Sequence, residues 1–246
     1  NQEESDLMYK AIHLYDSLST KSNNLNSNFR LSEIRFRALG DLDASYKIYT
    51  DVYKLTRNKD LKLNAVNRIS DVLLAKGDLK SAMKIIDTEL ASDLWNEDEK
   101  IKIRIKQNQI LFYEAEFDFI LDDLILIAKE YSVEEDNYNN ILEIISVLTL
   151  FKDNDETFKK FTQAQLKIHQ NKRAEAITIL DLITKTSEDV LLTNLINYQI
   201  ANLLVSQNKP NEAIEKLQTI TGKDIYNELG QILIAEIYDH ILYDFL

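Results

Sequence analysis

A chain reverses direction cheaply only where it has residues that tolerate the bend, and this one has four Gly and one Pro in 246 residues. β-Sandwiches and small barrels need many tight reversals, so the scarcity argues against both. It also leaves no G-x-G-x-x-G loop to cradle a phosphate, which excludes the dinucleotide folds built on that loop. There is no Cys, so neither a disulfide framework nor a thiolate zinc site is open to the chain. What such a sequence can build is a run of helices, and 45% apolar residues supply a sizeable core for them.

Comparing the chain with itself exposes a recurring unit: an apolar helical pattern, a short polar break, then a second helical pattern with a small residue near its start. The clearest copies are FRALGDLDASYKIYTDVY, VLLAKGDLKSAMKIIDTEL, LLVSQNKPNEAIEKLQTI and, more loosely, KIHQNKRAEAITILDLI. Gly40, Gly77, Asn171 and Asn208 share one slot, the break where a left-handed backbone is expected and where Gly or Asn adopts it most easily. The small slot falls at Ala11, Ser45, Ala82, Ile120, Ala176 and Ala213, in steps of 34, 37, 38, 56 and 37. Large residues follow at Tyr49, Ile86, Leu180 and Leu217 to fill the groove between paired helices. The copy at Ile120 has neither the turn Gly nor the small residue. The long step contains room for one extra helix, expected at 134–151. Pro210 sits in the first turn of a helix, where its missing N–H costs nothing.

This pattern resembles the tetratricopeptide repeat, a helix-turn-helix unit of 34 residues with a turn Gly and a small residue at these slots. The aromatic that the family carries near the start of each unit is present at Phe29 and replaced at Val66, Arg104 and Asn197. The resemblance implies an all-α, right-handed superhelical solenoid of antiparallel helix pairs, with about 12–13 helices and roughly 75 to 80% helix. Its expected parts are a second helix of a truncated repeat at 1–20, repeats at 25–58, 60–93 and 97–131, the extra helix, repeats at 155–186 and 189–221, and a first helix at 223–246. Both end helices lack a partner in this reading, and Ile232, Ile234, Ile237, Ile241, Leu242 and Phe245 make the last one apolar nearly all round. The expectation is a segment of a longer array that frays or associates through that end.

Chemistry-bearing motifs are scarce. His13, His169 and His240 show no ligand spacing, and there is no nucleophile elbow, no P-loop and no Cys nucleophile, so neither a cofactor nor a catalytic centre is expected. The formal charge of −12 argues against a nucleic-acid surface. Much of it comes from Glu114 to Lys160, where 13 acids stand against four lysines, a stretch that solubilises the fold or docks a basic partner. No run of 18 apolar residues occurs, so no membrane span is expected.

In one subset of the resembled family, Lys, Asn, Asn, Lys and Arg on three successive first helices clamp the carboxylate end of a peptide. By slot those places hold Arg30, Ile34, Arg68, Lys102 and Lys106 here. Ile34 and Arg68 stand where the clamp has Asn. The resemblance therefore implies a basic strip of Arg30, Arg68, Lys102 and Lys106, suited to an acidic or C-terminal peptide through charge-assisted hydrogen bonds. The functional expectation is a non-catalytic scaffold that holds a peptide or helix of another protein in a larger assembly. The alternatives are a spacer or oligomerisation domain of a larger enzyme or of an envelope or secretion protein, and, third, an enzyme built on helical pairs. Richness in Lys, Asn and Ile suits a bacterial source, with cytoplasm and periplasm both open.

Overall fold

A computed structural model describes residues 7, 9–17, 24–130, 138–152 and 154–240. Of the described residues about 82% are helical, and no strand occurs among them. The helices are α1 (residues 9–17), α2 (Leu25–Arg37), α3 (Leu42–Leu55), α4 (Lys59–Lys76), α5 (Leu79–Leu90), α6 (Glu97–Glu114), α7 (Phe117–Glu130), α8 (Tyr138–Thr149), α9 (Asp155–His169), α10 (Arg173–Thr186), α11 (Val190–Ser206), α12 (Pro210–Leu217) and α13 (Ile225–His240). The extra helix expected at 134–151 is α8, and 134–137 lie outside the described residues. So do 1–6, 8 and 18–20 of the expected first segment, and 241–246 of the last, with Ile241, Leu242 and Phe245.

Local chemistry sets the helix ends. The side chains of Asn24, Asp41, Asn58, Asp78, Asn154 and Asp189 each accept from backbone N–H groups of the first turn that follows, satisfying donors the helix cannot. Asn96 and Glu99 do this reciprocally at the start of α6, each side chain accepting from the other's N–H at 2.8 and 2.9 Å. The breaks between helices adopt the left-handed conformation at every expected turn slot: φ is 64° at Gly40, 82° at Gly77, 59° at Asn171 and 59° at Asn208. A fifth joins them, Ala115 at 63°, five residues before Ile120 just as Gly77 is five before Ala82. The copy without a turn Gly keeps the turn. Beyond three of these residues, the N–H groups of Asp78, Lys172 and Lys209 reach back to the carbonyls of Leu73, Lys167 and Leu204, the six-to-one bond that closes a helix end.

The chain divides into two compact units, Asn1–Leu111 and Phe112–Leu246. In the first, α2 packs on α3, α3 on α4 and α4 on α5. Ser45 and Ala82 in the small slot are buried, as are Tyr49 and Ile86 one turn on, so the small residue admits the neighbouring helix and the large one fills the space beside it. Buried Glu89 accepts from Tyr53 Oη and from Trp95 Nε1 at 2.9 Å, pinning the 91–96 loop to α3 and α5.

In the second unit α7 packs on α8, α9 on α10, α10 on α11, α11 on α12, and α13 on both α11 and α12. Ala176 and Ala213 are again buried, and Leu180 and Leu217 after them. Phe112, Phe117, Phe151, Phe158 and Phe161 form an aromatic core with ring centroids 4.6 to 6.2 Å apart. Buried Asn194 donates to the carbonyl of Thr221 at 2.6 Å and to Asp224 at 2.7 Å, which fixes the loop before α13.

Polar contacts within each unit recur at nearly one sequence separation. Glu33 meets Arg68, Asp71 meets Lys106, Asp43 meets Lys76, Gln165 meets Gln199 and Asp181 meets Lys216, all 33 to 35 residues apart.

Candidate functional site

The repeat spacing delivers a polar cluster to one place in the first unit. Glu33 lies on α2, Arg68 and Asp71 on α4, Lys106 on α6, and the pairs that join different helices, Glu33 with Arg68 and Asp71 with Lys106, are each separated by 35 residues. Arg68 Nε stands 2.7 Å from Glu33 and its Nη1 2.8 Å from Asp71. The other Asp71 oxygen receives Lys106 Nζ at 2.6 Å, and Lys106 also donates to Gln109 at 2.6 Å. Tyr49 Oη donates to Glu33 from α3, while Arg37 braces the second Glu33 oxygen at 3.1 Å. The result is a continuous ladder of alternating charge across α3, α2, α4 and α6.

Burial sharpens the electrostatics. Asp71 is 6% exposed. Burial by itself raises its pKa, but Lys106 and Arg68 together outweigh that and hold the carboxyl below the ordinary range. The Tyr49 phenol is pushed far up, first by burial and then by its bond to Glu33, so it stays a donor.

Beside the ladder lies a cavity of about 360 Å³ lined by Phe29, Arg30 and Glu33 of α2, Asn64, Asn67, Arg68 and Asp71 of α4, and Lys106 of α6. Three of the four sequence-predicted cations therefore share one cavity, and Lys102, exposed on α6, is not among its lining residues. The expected strip gains two carboxylates that a search for cations alone overlooks: Glu33 and Asp71 engage Arg68, and Asp71 engages Lys106. Arg30 at the exposed side of α2 has no carboxylate partner among the described residues, and the Oδ1 of Asn67 is buried without a hydrogen-bond partner. The edge of Phe29 rests against Tyr49, ring centroids 5.3 Å apart, and fixes one wall. The signal that could have found the acids was present: each stands one repeat step before the base it meets.

The other candidates are dispersed. His13 is exposed on α1, and the ring of His169 lies 5.9 Å from that of Tyr113 in the second unit. No group of three His, Asp or Glu able to hold a metal ion occurs among the described residues. No helix among them is long and apolar enough to cross a membrane.

These features define an all-helical protein with helix contacts between chain neighbours. In comparison with known proteins, no family model, no curated protein and no solved structure matches the chain.

Proposed function

We propose that the protein is a non-catalytic interaction module of the tetratricopeptide kind, a right-handed solenoid of antiparallel helix pairs whose first helices line a groove for a peptide of another protein. One observation carries the reading: side chains from α2, α4 and α6, alternate helices one repeat step apart, converge on a single polar cavity. Left-handed turns at five equivalent positions support the repeat architecture behind it.

The ladder narrows what the groove takes. Arg68 and Lys106 spend their charge on Glu33 and Asp71, so a highly acidic peptide gains little from them and meets two fixed carboxylates. Arg30, Asn64 and Asn67 remain to engage a ligand. A guanidinium and two amides suit an extended peptide with one carboxylate, the amides bonding its main chain.

The test is fluorescence anisotropy with labelled eight-residue peptides carrying none, one, two or four Glu. The expected result is tightest binding with one carboxylate, a shallow dependence on salt, and about tenfold weaker binding for Arg30→Ala, whose exposed side chain can be removed without harm to the fold. Affinity that climbs with each added Glu and is unchanged by Arg30→Ala would dismiss this assignment of the cavity.

A further inference from the structure

Among the described residues the most exposed large apolar side chain is Phe119 on α7, at 71%. Leu126, seven residues and two turns further along, is 47% exposed. That spacing sets both on one stripe of the helix, and Asp122, Asp123 and Glu130, three, four and eleven residues from Phe119, fall on the same stripe. Buried Ile120, Leu124 and Ile127 lie about 100° further round the helix and commit that adjoining face to the core. Two apolar knobs bracketed by carboxylates thus stand on the outside of a helix whose inside is already packed. Soon after the helix the sequence adds Glu134, Glu135 and Asp136.

We infer that this stripe of α7 docks a basic amphipathic helix of a partner protein. Charge decides among the occupants. A second copy of the chain would bring these acids against its own, and a nucleic acid or an anionic lipid surface would be repelled in the same way. A helix with Leu or Ile along one side and Lys or Arg flanking them buries Phe119 and Leu126 and sets a cation against exposed Asp122. From Phe119 to Glu130 the stripe is about 16 Å long, room for about three turns of such a partner. The surface belongs to the second unit, whereas the cavity belongs to the first.

The test uses the full chain and an 18-residue Leu/Lys peptide with Leu at helical spacing. Its controls are a peptide of the same composition with Leu scattered round the helix and a Leu/Glu peptide of the same pattern. The expected outcome is saturable binding of the amphipathic Leu/Lys peptide, weakened about tenfold by scattering the Leu and about tenfold by Phe119→Ser, a change that leaves the charge intact. Asp122→Lys should weaken it severalfold, and Arg30→Ala, in the cavity, should not touch it. Helix content and thermal midpoint of each variant by circular dichroism should match those of the unaltered chain, because the replaced side chains are exposed. The inference is overturned by undiminished binding to Phe119→Ser, by equal binding of the Leu/Glu or scattered peptide, or by loss of binding in Arg30→Ala. Self-association in sedimentation that Phe119→Ser abolishes would overturn it too, by showing that a second copy covers the stripe.

Discussion

Ala115 occupies a backbone region in which an L side chain crowds the following carbonyl, at a cost of about 1 to 2 kcal/mol. Its counterparts are Gly and Asn, which adopt φ near 60° more easily. Replacing Ala115 with Gly should therefore raise stability by about 1 kcal/mol, less a few tenths for the freer unfolded chain, measured as a higher urea midpoint at unchanged slope. Asp71 predicts the opposite. Removing its charge in Asp71→Asn takes the carboxylate from half-buried Lys106 and from one end of Arg68, which keep Gln109 and Glu33, and should cost about 2 kcal/mol. Its pH signature has a definite sign. Because the folded pKa lies below the unfolded value of about 3.9, the stabilisation is complete above about pH 5 and fades as pH falls through the folded pKa. The urea midpoint of the unaltered chain should drop across that interval, and that of Asp71→Asn should drop less.

At the level of helices, the small slot is where one helix admits its neighbour. Ala176 is fully buried on α10, two residues from exposed Ala174. Ala176→Leu should cost about 1 to 3 kcal/mol through overpacking, while Ala174→Leu should be near neutral, a comparison thermal unfolding can make. This scale is also where the sequence was most legible. Gly and Asn at the turns and Pro210 in a first turn are local signals, and each sits where a helix begins or ends. Ala115 was not legible, because nothing in an alanine announces a left-handed backbone; only the five-residue spacing to Ile120 does. The cavity was half legible. Arg30, Arg68 and Lys106 were found through a resemblance that directs attention to cations, and Glu33 and Asp71 were missed because ion pairing across helices depends on packing, which one strand of sequence displays only through the 35-residue step.

For the molecule as a whole, two compact units with contacts mainly between sequence neighbours imply that a disturbance stays near its source. Asp71→Asn should lower amide exchange protection in α4 and α6 and leave the amides of α11 and α12 as protected as before, a pattern hydrogen exchange resolved by peptide can read. The same regular spacing governs which changes in chain length the fold accepts. One residue inserted in the middle of α4 would turn everything after it by about 100° and carry Asp71 away from Lys106. An insertion in the 91–96 loop leaves every helix face where it was. The natural unit of growth or loss for such a chain is the whole stretch from one left-handed turn to the next, so length variants of this protein should differ by about 37 residues far more often than by one or two within a helix.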